Sequence, residues 1–172
     1  MTNHAAITSF RGEFGFLSNF HEEPGGLASS NFGPSRTAEH AFQACKARNE
    51  TDFYSFYREE KPGGAKNLGR RIELRPDWEE VKIQAMLEVV RAKFRQGTRL
   101  AAMLEATDRR HLEEGNQHGD RVWGTVGGVG RNLLGRILMK VRAENRGELY
   151  EDSELADLQE WEPRFWKKSL VV

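Results

Sequence analysis

Apolar positions recur with helical period over most of the chain, and one short stretch keeps a different rhythm. Pro76-Asp-Trp-Glu-Glu80 is a strong helix start, with Asp77 placed as the cap and Glu80 at the third helical position, as in a capping box. Val81, Ile83, Ala85, Met86, Leu87, Val89, Val90, Ala92 and Phe94 then cover most of the circumference. The helix they predict runs to about Arg95 and is central, buried on most sides, with Glu80, Gln84, Glu88 and Arg91 as its polar arc. Leu133, Leu134, Ile137, Leu138 and Val141 predict another core helix, which Asn132 is placed to cap. Thr37 is placed to cap a helix over 38–49, and shorter helices are predicted over 53–60 and 100–106. Residues 10–20 alternate aromatic and polar side chains, which predicts a strand or hairpin presenting Phe10, Phe14, Phe16, Leu17 and Phe20. Residues 21–36, rich in Gly, Pro, Ser and Asn, predict a loop. The expected fold is α+β: a compact, mostly helical single domain over 1–145, with a small β element near the N-terminus. Residues 146–172 change character, acidic first and then carrying Trp161, Phe165, Trp166 and Leu170-Val-Val. They predict a C-terminal extension packed on the domain.

Composition narrows the function classes. A chain of 172 residues suits one core. Its 26 basic and 26 acidic residues cancel, so long-range attraction to nucleic acid is not expected. Cys45 is the only cysteine, which excludes an internal disulfide and makes a reducing cytoplasm the expected compartment. No apolar run approaches membrane-spanning length. The histidines and Cys45 show no zinc spacing, and no dinucleotide fingerprint or Gly-x-Ser-x-Gly elbow is present, so neither metal nor cofactor is expected.

What remains is a set of acids, lysines, amides and indoles. Glu39, Gln43 and Lys46 fall within roughly 60° of arc on the Thr37-capped helix, beside Phe42. Such a row is either a solvated face or the lining of a pocket. Lys61-Pro-Gly-Gly-Ala-Lys-Asn-Leu-Gly-Arg-Arg71 reads as a glycine–cation loop, either solvated or cradling a phosphate. Lys82 projects from an apolar arc and either snorkels outward or serves a pocket. Asn19 is either a turn residue or a substrate hydrogen-bonder at a strand end. Glu114-Gly-Asn, Asp120 and Trp123-Gly124 gather acid, amide and indole groups upstream of Gly127, Gly128 and Gly130. That glycine loop enters a helix N-terminus, a natural seat for phosphate. The inventory suits a phosphorylated, ring-bearing substrate and acid–base or imine chemistry.

Several of these stretches together resemble the NADAR (YbiA-like) domain family. They are Phe16-Leu-Ser-Asn-Phe20, Thr37-Ala-Glu-His-Ala-Phe-Gln-Ala-Cys-Lys46, Gly69-Arg70, Arg75-Pro-Asp-Trp78 with Lys82, Glu114-Gly-Asn, Asp120, Trp123-Gly124 and Gly130-Arg-Asn132 through Met139. The resemblance implies cleavage of an N-glycosidic bond to ribose, without cofactor and without a membrane partner. It implies as substrate either a phosphoribosyl-amino-pyrimidine of riboflavin synthesis or ADP-ribose attached to guanine, so that nucleic acid would enter only as an ADP-ribosylated substrate. Glu39 and Asp120 are the implied acid–base carboxylates, and Lys46 is the candidate for attack on the ribose C1 carbon. Asn19, Gln43, Arg70, Trp78, Lys82, Glu114, Trp123, Gly124 and Asn132 are the expected substrate-binding residues. Two other classes stay open: a module that binds ADP-ribose or a nucleotide without cleaving it, and a partner-binding protein acting through Trp161–Val172.

Overall fold

The computed structural model describes residues 5–27, 34–156 and Leu158. The chain forms two compact units: one combines the residues up to Ser18 with Phe94–Leu158, and the other is Asn19–Lys93.

Among the described residues the Asn19–Lys93 unit holds four α-helices. α1 (Ala38–Ala44) is buried along its whole length. Thr37 caps it as expected, its side chain accepting the His40 N–H. α1 stops well short of residue 49, and Lys46 lies in the turn that follows. In α2 (Glu50–Ser55) the Asn49 side chain accepts the Asp52 N–H at 2.9 Å. A 3-10 turn, Phe56–Arg58, continues it. Phe53, Phe56, Ala44, Ala47 and Ala65 form an apolar cluster with Tyr54, Tyr57, Leu68 and Ile72 packed against it.

α3 (Pro62–Gly69) replaces the expected glycine–cation loop. Pro62 at the first helical position needs no N–H partner, and Ala65 and Leu68 give the segment an apolar side, so burial outweighs the cost of its glycines. α4 (Trp78–Lys93) begins and ends close to prediction, and Asp77, just before it, also serves a second group. The Asp77 carboxylate accepts two hydrogen bonds from buried Arg75, at 2.6 and 2.8 Å. Glu88, expected on the polar arc, is buried beside Arg91, which donates to it at 2.5 Å.

The other unit carries α5 (Arg99–Glu105), capped by Thr98, α6 (Leu133–Asn145) and the short α7 (Ser153–Ala156). Leu133, Leu134, Ile137, Leu138 and Val141 are all buried, as their spacing predicts. Arg136 holds Asp152 through bonds of 2.8 and 2.6 Å, which pins the segment leading into α7 to α6. Arg142 is buried in the same unit and donates to the Thr107 hydroxyl at 2.7 Å and the Arg110 carbonyl at 2.9 Å. The aromatic part of the C-terminal extension lies outside the described residues.

The β element predicted over 10–20 is corrected. Residues Gly12–Leu17 form a 3-10 helix, and among the described residues pairing is limited to isolated bridges such as Ile7 with Leu112. Gly12 adopts φ +55°, which breaks an extended run, while Phe16 and Leu17, adjacent in sequence, are both buried. A strand would send neighbouring side chains to opposite faces, so the alternation reported turn geometry instead.

Candidate functional site

The chemistry-bearing residues of the Asn19–Lys93 unit gather around α1. Glu39 is 6% exposed and Gln43 is 3% exposed. The Gln43 side-chain amide donates to Glu39 Oε1 at 2.7 Å, so these two members of the expected row are interior, while Lys46 is part-exposed. The Glu39 backbone N–H donates to the Asn19 carbonyl at 2.9 Å, so Asn19 caps the start of the helix through its main chain. The Asn19 side-chain amide donates to Met86 Sδ at 3.3 Å. Asn19 Oδ1 and Gln43 Oε1 are buried and have no hydrogen-bond partner among the described residues. A buried acceptor without a donor carries a desolvation cost of about 1–3 kcal/mol.

Lys46 sits at the mouth of this row. Its carbonyl accepts the Arg75 N–H at 2.9 Å, which ties the turn after α1 to the residues before α4 and so brings Trp78 beside it. Lys46 Nζ lies 5.8 Å from the centre of the Phe42 ring and 5.7 Å from that of Trp78. The two rings are themselves 5.3 Å apart. Burial holds the Lys46 pKa below the ordinary lysine value. Glu39 pulls the other way, and the nearby cations Lys66 and Arg70 push the same way as burial. Neighbouring His40 is buried, its Nδ1 2.8 Å from the Thr37 hydroxyl and its Nε2 3.2 Å from the Glu59 carbonyl. Its pKa is lowered by burial, so it serves as a neutral strut.

Glycine is required where α3 meets this row. A Cβ at Gly69 would stand 1.9 Å from Gln43 Oε1, so the bare backbone is what lets the buried amide fit. Lys82, whose side chain is 21% exposed, pairs with Glu79 one turn before it on α4.

In the other unit, the loop before α6 is shaped by its own polar side chains. Asp120 Oδ1 accepts the N–H groups of Val122 at 3.0 Å and Trp123 at 2.9 Å. Asn116 accepts the Asp120 N–H at 3.0 Å and donates to the Asp120 and Thr125 carbonyls at 2.7 and 3.0 Å. Gly124 packs so closely that an added Cβ would lie 2.1 Å from the Glu114 carbonyl. Trp123 is half-buried, and Glu114 lies between buried and exposed.

Asn132 departs from its expected role. It takes the left-handed conformation, φ 50°, and makes no side-chain cap. Its side chain instead accepts the Glu114 N–H at 3.0 Å and donates to the Leu112 carbonyl at 2.8 Å. The N–H groups of Leu133 and Leu134 donate to the carbonyls of Val122 and Trp123 at 3.1 and 3.0 Å. The helix start expected to hold a phosphate has therefore spent these two donors on its own loop.

A family model described as the NADAR domain matches residues 9–146. The chain belongs to the NADAR domain family. Among similar curated proteins is a riboflavin biosynthesis protein, VVA0006 of Vibrio vulnificus, 40% identical over 134 residues; the match covers 76% of this chain and 35% of that protein. N-glycosidase YbiA of Escherichia coli is 37% identical over 135 residues, covering 77% of this chain and 82% of YbiA. The NMR structure of E. coli YbiA is similar with a TM-score of 0.68 at 33% identity, covering 86% of this chain and 91% of that one.

In this NADAR chain Asn116 and Lys66 stand within motifs of the sequence without being singled out as site residues. Asn116 lay inside the Glu114-Gly-Asn motif, and its rarity as a buried amide gives it away only once the loop closes. The i,i+4 spacing of Lys66 and Arg70 was a usable signal, hidden because their segment reads as a loop. Among the described residues no three His, Cys, Asp or Glu side chains stand where they could share a metal ion, and no helix is long and apolar enough to cross a membrane.

Proposed function

We propose that this chain is an N-glycosidase that splits the bond between ribose and a base or amino group in a phosphorylated N-riboside. Relatives named N-glycosidase YbiA support a hydrolase acting on N-glycosyl bonds. Other relatives named riboflavin biosynthesis proteins favour a pyrimidine intermediate of that pathway over ADP-ribose on guanine. The observation that carries the reading is the Lys46 amine, lowered in pKa by burial against Phe42 and Trp78 and set beyond the buried Glu39–Gln43 pair.

That arrangement suits an imine route. Neutral Lys46 attacks the ribose C1 carbon, the C1–N bond breaks, and Glu39 hands a proton to the departing nitrogen. The Glu39 carboxylate takes one proton back from the attached Lys46 nitrogen; the C1–O4 bond then breaks as the C1=N bond forms, the remaining N–H proton passes to O4, and water adds to the open-chain imine at C1 to release ribose and regenerate the amine. Glu39 also stabilises the positive charge that develops at C1. The Lys46–aromatic contacts favour the ammonium and oppose this route, but burial ranks first among the causes acting on Lys46. Asp120 has a loop-shaping task at one oxygen and stays in the reading as a second carboxylate. Trp78 offers a face for a base, and Arg70 a charge for phosphate.

The test incubates the protein with a panel of N-ribosides and borohydride during turnover, followed by mass spectrometry. The expected result is free base, reducing ribose, and a ribosyl adduct on Lys46 that Lys46→Ala lacks. Base release with no adduct, and a Lys46→Arg variant near full rate, would return the chemistry to water and the carboxylates. No base release from any member of the panel would sink the N-glycosidase reading.

A further inference from the structure

The face of α3 that carries Arg70 carries a second cation. Lys66 stands one turn before Arg70, and the close packing of Gly69 on the Gln43 amide sets that turn against α1. Lys66 Nζ lies 5.6 Å from the centre of the Phe20 ring. Phe20 follows Asn19, whose carbonyl accepts the Glu39 N–H, so the ring is held at the same row of residues. It remains 41% exposed, which is unusual for so large an apolar side chain with core beside it. Among the described residues neither Lys66 nor Arg70 forms an ion pair, in a chain whose acids and bases are equal in number.

An independent observation says what reaches this face. Asn19 is 7% exposed and Gln43 3%, and each holds a buried side-chain oxygen that no donor satisfies. Gln43 Oε1 is covered by the Gly69 backbone, so the Asn19 acceptor is the one that calls for a hydroxyl donor, and the two cations call for an anion. A molecule with hydroxyls at one end and a phosphoryl group at the other answers both. A ribose esterified at its 5′ oxygen has that form.

We propose that Lys66, steadied over the Phe20 ring, and Arg70 hold the phosphoryl group on the 5′ oxygen of the substrate ribose, which makes Lys66 and Phe20 specificity-determining residues. The proposal rests on the N-glycosidase reading for the identity of the sugar. An ammonium over an aromatic face keeps its charge while losing little mobility on binding, so the site is prepared for the anion.

Calorimetric titration of the full chain with ribose 5-phosphate, ADP-ribose and ribose tests it without requiring turnover. Ribose 5-phosphate should bind at least about tenfold more tightly than ribose, the worth of one charge-assisted bond. Lys66→Gln should remove about tenfold of that difference, Lys66→Arg should keep most of it, and Phe20→Leu should cost about two- to fivefold, all without changing ribose binding. ADP-ribose weakened by Lys66→Gln to the same degree would extend the assignment to a diphosphate; ADP-ribose unaffected would restrict it to a monoester. Equal binding of ribose and ribose 5-phosphate, or ribose 5-phosphate held unchanged by Lys66→Gln, would overturn the proposal. If no N-riboside is hydrolysed while ribose 5-phosphate still binds through Lys66, the N-glycosidase reading fails and the phosphate assignment stands.

Discussion

Two glycines of α3 should respond to the same substitution in opposite directions. Nothing lies within 4 Å of a Cβ added at Gly63, and its backbone is not in the left-handed region. Gly63→Ala should therefore stabilise by about 0.5–1 kcal/mol, mainly by restricting the unfolded chain. Gly69 ends the same helix with an equally permissive backbone, but its added methyl would stand 1.9 Å from Gln43 Oε1 and 2.9 Å from Cδ. The Gln43 amide is buried and bonded to Glu39, so it can yield only by giving up that bond. Overpacking costs about 1–3 kcal/mol. Losing a hydrogen bond to a carboxylate adds about 1.5–3 kcal/mol. Set against the gain of under about 1 kcal/mol, the net loss is about 2–5 kcal/mol. At about 2–4 °C per kcal/mol for a chain of this size, Gly69→Ala should lower Tm by about 4 °C or more, while Gly63→Ala raises it slightly. The assay is thermal melting of both variants, repeated in a Gln43→Ala background. There the Gly69→Ala penalty should largely vanish, because the atom it meets is gone. The reasoning is refuted if Gly69→Ala melts like Gly63→Ala, or if the penalty persists without Gln43.

Glu39→Gln should lower base release by about 100-fold while leaving Tm close to wild type, since the side chain keeps its shape and loses only its proton-transfer role; near-normal turnover would make Glu39 structural. Lys46 has a folded pKa below its unfolded value, so turnover that needs the neutral amine should rise with pH through that lowered pKa, ahead of an ordinary lysine. The same shift makes the buried ammonium a cost at neutral pH. The Lys46 contribution to stability should therefore improve as pH climbs from the folded pKa toward the unfolded one, and Lys46→Met should flatten that slope in denaturant melts at stepped pH. Asn132→Gly keeps the left-handed backbone but loses the ties to Leu112 and Glu114, so it should cost about 2–4 kcal/mol in chemical denaturation; a loss under about 0.5 kcal/mol would show that these bonds do not hold the loop.

The sequence by itself determined the elements whose signals are local. The 3.6-residue rhythm of Leu133 to Val141 and of Val81 to Phe94 fixed two core helices, because a helix that buries one face must repeat apolar side chains at its own period. Thr37 ended in its expected place because capping needs only the next turn of chain. The pairing of Glu39 with Gln43 was visible for the same reason, whereas Lys46, expected on the same helix, lies in the turn beyond it. Tertiary structure decided what each polar side chain was for. Asp77 holds the Arg75 guanidinium, and Asn132 left its helix for Leu112 and Glu114. The donors at the start of α6 went to the carbonyls of Val122 and Trp123. Each outcome depends on a group brought near by the fold, and a donor satisfies whichever acceptor desolvation leaves beside it. The residues over 10–20 and 61–71 show the same limit in the backbone. Aromatic alternation and glycine content are weak preferences, and burial of Phe16, Leu17 and Ala65 overrode them. The balance at Lys46, between burial on one side and a nearby carboxylate on the other, was likewise undecidable along the chain, since Trp78 comes beside it where the folded backbone makes the Arg75–Lys46 bond.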